Sequence, residues 1–184
     1  MANWLSHTPH HFRDNSAYGT LDLSPTYAAV YNVVLPKATQ VVDRFHLIRL
    51  CNLTLVDTIR RRIQNERYGH RGRKDDPLYR ARKLLVMRSE RLDEAMSEKL
   101  NTLLALGDEG AEVAIAYRVK ESVCDFYEMK DYENAQNYLA QIVDRITKPS
   151  MPRELRRLGQ TLERWFDKIT TYHLARVTNG PTEE

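Results

Sequence analysis

Apolar positions in this chain fall into two regimes. Up to about residue 46 they come in short runs separated by prolines, and beyond it they recur every three or four residues almost without a break. Leu21-Asp22-Leu23 predicts the end of a short strand. Ser24 followed by Pro25 predicts a helix start, a hydroxyl before a proline placed where no amide partner is needed. Tyr27, Val30, Tyr31 and Val34 continue that helix, and Pro36 stops it. Thr39-Gln40-Val41-Val42 predicts a second strand, ending at Asp43. The order strand, helix, strand, helix predicts a parallel βαβ unit. Both acids then sit at the carboxyl ends of their strands, where ligands gather in open α/β sheets.

From Leu47 to Tyr172 no strand pattern appears. Ile48, Cys51, Leu55, Ile59 and Ile63 form one apolar stripe, while the consecutive Arg60, Arg61 and Arg62 splay around the last turns and cannot all be buried. Gly69 and Gly72 break this helix into a loop carrying His70, Arg71, Arg73 and Lys74. Further helices are predicted from Asp76-Pro77 through Leu85, from a Ser97 cap to Gly107, from Ala111 to Met129, and from Asp131 to Thr147. A last one runs from Pro152 to His173 with Leu155, Leu158, Leu162, Trp165, Ile169 and Tyr172 on one face. An all-α module of five or six helices follows. Residues 1–20, with Trp4, Pro9 and Asp14, show neither period and are read as irregular. His7, His10 and His11 are read there as part of a polar tail rather than as a metal site.

A hydrophobic content of 42% and a charged content of 29% fit a globular chain and argue against a disordered one. No apolar run approaches the roughly 20 residues that span a bilayer, so no membrane partner is expected. Met1 to His7 lacks the basic start and apolar centre of a secretory signal. Cys51 and Cys124 fall within apolar helical patterns and read as buried thiols in a reducing cytoplasm. The net charge of +3 is unevenly spread. Between Arg60 and Arg91 ten Arg and two Lys face four acids (Glu66, Asp75, Asp76 and Glu90), a local +8 that leaves −5 for the remainder. A concentrated cation on an acidic body favours a polyanionic partner. Arg60, Arg61, Arg62, Arg67, His70, Arg71, Arg73 and Lys74 are the candidate contacts, to phosphates rather than to base edges.

Several strings agree in order and spacing with one known family. They are Val42-Asp43-Arg44-Phe45-His46-Leu47-Ile48-Arg49-Leu50, Arg60-Arg61-Arg62-Ile63-Gln64-Asn65-Glu66, and Gly69-His70-Arg71-Gly72-Arg73-Lys74-Asp75-Asp76-Pro77-Leu78-Tyr79-Arg80. Glu90-Arg91-Leu92-Asp93, Leu155-Arg156-Arg157-Leu158-Gly159 with Thr161-Leu162, and Asn179-Gly180-Pro181-Thr182-Glu183 continue the agreement. From about Leu21 to its end the chain resembles the ISL-three family of bacterial insertion-sequence transposases, DDE enzymes with an RNase H-like core. The resemblance implies a mainly α chain, the remnant of an RNase H-like α/β core interrupted by a large all-α insertion. The implied division is 1–20 irregular, 21–46 partial core, 47–172 helical insertion and 173–184 return to the core.

The same resemblance implies hydrolysis and strand transfer at transposon ends, with two magnesium ions (Mg2+) held by three carboxylates. Asp22 resembles the second catalytic aspartate and Glu183 the catalytic glutamate, both as metal ligands. Asp43 and His46 match an Asp-x-x-His signature and take a supporting role; from the residues alone, Asp43 reads equally as a helix cap and His46 as a packed core histidine. The implied partner is DNA at transposon ends, and a homo-oligomer stays open. The family's first aspartate, its opening strands, and a zinc-finger and helix-turn-helix region have no counterpart among these residues. The expectation is therefore a transposase fragment, inactive alone. The competing expectation is a non-catalytic helical DNA-binding module derived from a transposase, and a helical protein-binding scaffold is the third.

Overall fold

The computed structural model describes residues 7–177. In chain order, α1 spans His10–Asn15, β1 Tyr18–Leu21, α2 Pro25–Val34 and β2 Thr39–Val42. The next helix runs as α3 (Arg44–Asn52), a π-helical segment (Leu53–Arg60) and α4 (Arg61–Tyr68). Then come α5 (Pro77–Val86), α6 (Glu94–Gly107), α7 (Glu112–Glu128), α8 (Tyr132–Thr147), α9 (Arg153–Arg164), α10 (Phe166–Thr170) and α11 (Tyr172–Ala175). Mainly α is the correct class. Among the described residues no helix is long and apolar enough to cross a membrane.

β1 and β2 pair in parallel, with Leu21 opposite Val42, and α2 is the crossover between them. Tyr31 of α2 packs closely on β1: a Cβ added to Gly19 would stand 2.2 Å from its Cε1, so only glycine fits against the ring. The Tyr31 hydroxyl donates to the Thr20 carbonyl at 3.0 Å, tying crossover to strand. Strand β1 begins at Tyr18 and α1 precedes it, so the segment to residue 20 is not wholly irregular. Pro25 does open α2, yet the Ser24 side chain makes no capping bond.

The long helix from Arg44 to Tyr68 is the spine. A stripe spaced by four overshoots an α-turn by about 40° per step. The predicted stripe takes that step from Cys51 to Leu55, to Ile59 and to Ile63, and in a pure α-helix it would rotate off the core. The π segment, bonded i to i+5 and wider, turns less per residue and brings the stripe back. Cys51, Leu55 and Ile59 are buried, and Ile48 and Ile63 are partly buried against the same core. The adjustment also turns Arg60 inward.

One continuous apolar cluster joins Leu21 and Val42 of the strands to Leu47, Leu55, Leu85, Val123, Phe126, Leu139 and Leu162 of the helices. Strands and helices therefore share a core. Asp93, not Ser97, caps α6, accepting from the Met96 amide at 2.7 Å. The long last helix predicted from Pro152 is broken near Trp165 and Thr171 into α9, α10 and α11. Both short helices fold back against β2, so the end of the described chain returns to the sheet. α9 lies close on α8, where a Cβ at Gly159 would meet Thr147 Cγ2 at 2.6 Å and Ile146 Cγ1 at 2.9 Å.

His173 of α11 is buried beside Phe126, Tyr127 and Tyr172, its Nδ1 donating to the Met129 carbonyl at 3.1 Å. Its Nε2 is buried and has no partner, so protonation there would bury an unpaired N–H. Burial lowers the His173 pKa, Arg176 adds to the shift, and the Met129 carbonyl partly offsets it.

Two outcomes follow from this packing. Gly159→Ala is expected to cost about 1–3 kcal/mol through overpacking of α9 on α8, read by urea denaturation. Because the folded His173 pKa lies below its unfolded value, the stability it contributes is present above the unfolded value and is lost as pH falls through the folded one. His173→Gln should flatten that acid limb of a melting-temperature profile; an unchanged limb counts against this role.

Candidate functional site

Register places the two strand-end acids side by side. Asp22 follows Leu21 and Asp43 follows Val42, and the Asp43 amide extends the ladder by donating to the Leu21 carbonyl at 3.0 Å. Two carboxylates on neighbouring strands repel, and a cationic or hydrogen-bonding group between them relieves this. His46, at the first turn of α3, is that group. Its Nε2 lies 3.1 Å from Asp22 Oδ1 and its Nδ1 lies 2.9 Å from Asp43 Oδ2. Each ring nitrogen faces one acid, so the imidazole links Asp22 to Asp43 across the strand ends.

The two acids are not equivalent. Asp43 is 1% exposed, while the Asp22 side chain is 41% exposed and faces outward. Asp43 occupies the N-cap position of α3, but its carboxylate makes no capping bond to the helix amides. His46 is partly exposed and held between the two acids rather than packed in the core. Tyr31 also belongs to this edge: burial raises its phenol, and the Asp22 charge raises it further. Its place could have been suspected from the aromatic opposite a strand glycine. Glu183 lies outside the described residues. Among the described residues no group of three acids, histidines or cysteines converges as metal ligands.

The cationic stretch resolves into structural and outward-facing members. Arg60 is only 3% exposed, donates to the Val56 carbonyl at 3.1 Å and to Gln64, and lies 5.9 Å from the Tyr79 ring centre. It is removed from the phosphate-facing set. Arg62 is a hub that ties three helices together, donating to Glu66 at 3.0 Å, to Glu154 at 2.9 Å and to Glu112 at 2.5 Å. Burial pushes the Glu154 carboxyl up, but its own amide, Arg153 and Arg62 together hold it below the usual range. Arg61 pairs with Asp57 at 2.8 Å and Arg67 with Glu109 at 2.9 Å, so both carry compensated charge at the surface.

The loop after α4 is different. Gly69 ends the helix in the left-handed region at φ 70°, and a buried Gln64 donates to Asp76 Oδ2 at 3.0 Å. Asp76 also accepts from the Arg73 amide at 2.6 Å, and His70 Nδ1 stands 3.5 Å away. Gln64 and Asp76 thus pin the loop from inside, and the exposed Arg71, Arg73 and Lys74 side chains project outward. His70 is partly buried and stacked on Tyr68, so it supports the loop.

A βαβ edge with paired acids and an outward basic loop fits the class of proteins that act on nucleic-acid phosphates. The transposase family model of the DDE, ISL-three type matches residues 1–184, and the chain belongs to that family. The match includes the first twenty residues, beyond the resemblance read from the sequence motifs. Membership implies DNA as the partner. No curated protein and no solved structure matches the chain.

Removing His46 takes the imidazole from a buried carboxylate. His46→Ala is expected to destabilise the chain by about 1–3 kcal/mol and to be relieved in part by adding Asp43→Asn, as a denaturation double-mutant cycle would read. Strict additivity of the two changes would contradict the bridge.

Proposed function

We propose that this edge is one wall of a DDE-type centre for DNA strand cleavage and transfer, and that the chain engages the DNA backbone beside it. The observation that carries the reading is His46 bridging two acids at the carboxyl ends of parallel strands, one buried and one open to solvent. In this reading the βαβ unit is part of an RNase H-like core and residues 47–172 form the helical insertion. Asp22 is the exposed hard-oxygen ligand, suited to magnesium, which is commonly held by one or two carboxylates with waters and substrate phosphates. In this reading Glu183, which resembles the family's catalytic glutamate, is a further ligand. When bound, the ion would polarise a phosphoryl oxygen and activate a water or hydroxyl nucleophile. His46 holds Asp22 in place through Nε2 and is itself oriented by the buried Asp43, a supporting role for both. Arg61, Arg67, Arg71, Arg73 and Lys74 offer sequence-independent phosphate contacts, Arg71, Arg73 and Lys74 without a described carboxylate partner.

A second reading is a helical DNA-binding module derived from a transposase and without turnover. The wall itself favours it on one point, since Asp43 is buried against His46 and leaves Asp22 as the exposed acid of the pair.

Manganese titration of the labelled chain, followed by paramagnetic broadening of amide resonances, separates the two. The first reading expects broadening centred on residues 22 and 43 and its loss in Asp22→Asn. Salt-dependent DNA binding with no broadening at this edge would favour the module, and absence of DNA binding at low salt would contradict both.

A further inference from the structure

A groove opens at the acid edge and runs along the spine helix to Glu154, the ion-pair partner of Arg62. Its first part, about 460 Å³, is lined by Leu23, His46, Arg49, Leu50, Leu53 and Thr161. Its second part, about 220 Å³, shares Leu50 and Thr161 and continues past Thr54 and Thr58 to Arg157. The two form one channel between the spine helix and α9. His46, Arg49, Leu50 and Leu53 share a helix face, at spacings of three and four residues, and Arg157 and Thr161 face it from α9 at a spacing of four.

The charges in this groove differ from those of the predicted segment. Arg60, Arg61, Arg62 and Arg67 are each engaged by internal partners. Arg49 and Arg157 are exposed, and neither has a carboxylate partner among the described residues. Glu154 lies at the far end, where Arg62 and Arg153 neutralise it. The result is a trough with hydroxyls and apolar walls, two uncompensated guanidiniums, and the strand-end acids at its mouth. A polyanionic strand satisfies those guanidiniums, and continuity with His46 sets its direction.

We propose that this groove is the track of the DNA strand leaving the acid edge, with Arg49 and Arg157 as its phosphate clamps. The inference rests on the reading of the edge as a DNA-processing site and adds the path of the substrate and two contacts that the charge pattern of the sequence did not single out. Guanidiniums suit this role because their fixed fork of donors grips phosphate in two places. Apolar walls at Leu50 and Leu53 and the threonine hydroxyls accommodate sugars and phosphate oxygens without reading bases.

The test is the salt dependence of binding to a short fluorescent DNA duplex by the full chain. The double variant Arg49→Ala with Arg157→Ala is compared with Lys99→Ala and Lys130→Ala, which removes the same charge from exposed positions outside the groove. Two lost phosphate contacts should lower the slope of log affinity against log salt by about 1.8, and the control pair should leave it nearly unchanged. Arg49→Lys with Arg157→Lys keeps the charge and should restore most of the slope, which separates a phosphate role from damage to the fold. Equal slopes in the groove and control pairs, with DNA still bound, would overturn the groove alone. Loss of slope in the lysine pair as large as in the alanine pair would overturn it too. No binding by the unaltered chain would overturn both the groove and the reading on which it rests.

Discussion

Everything at the acid edge depends on one imidazole shared by two carboxylates. Parallel pairing with Leu21 opposite Val42 forces Asp22 and Asp43 into adjacent positions, at strand spacing of about 4.8 Å. Asp43 is buried as well, which compounds the cost of its charge. His46 meets both demands because α3 starts directly after β2, so its third residue falls back over the strand ends. The bond to Asp43 orients the ring, and the ring then positions Asp22 at the surface. Positioning an exposed acid through a buried one is a scaffold device with a direct consequence for chemistry.

The helical body serves this edge by carrying its charges. The alternation of α and π turns in the spine keeps an apolar stripe facing the core for the whole stretch from Arg44 to Tyr68. It also sorts the arginines. Arg60 is folded inward beside Gln64 and Tyr79, and Arg62 clasps α7 and α9 through Glu112 and Glu154. Outward-facing members include the pinned basic loop and the pair Arg49 and Arg157 in the groove.

Much of this was legible from residue order alone. Short-range signals located β2, α2, most helices of the body, and the placement of Asp22 and Asp43 at strand ends, because strand ends and helix stops are set by neighbours in sequence. The Asp-x-x-His spacing places His46 one turn beyond Asp43. The role of Arg62 was not legible, since its partners Glu112 and Glu154 lie 50 and 92 residues away. Charge concentration marked Arg60 as a phosphate contact, but the π turns of the spine carry it inward, which the charge pattern does not show. Ser97 lost the capping role to Asp93, whose carboxylate stands where the helix begins. Arg49 and Arg157 lie within the strings that carry the family resemblance, but nothing local marks them as a pair; their pairing comes from α9 packing against the spine.

The central claim is that the acid edge and the DNA-binding surface are one site. The most direct measurement is a chemical-shift titration of the isotope-labelled chain with duplex DNA. The account requires coherent shifts at Asp22, Asp43, His46 and Arg49. Shifts confined to the basic loop around Arg71, Arg73 and Lys74, with the strand ends unmoved, would contradict it.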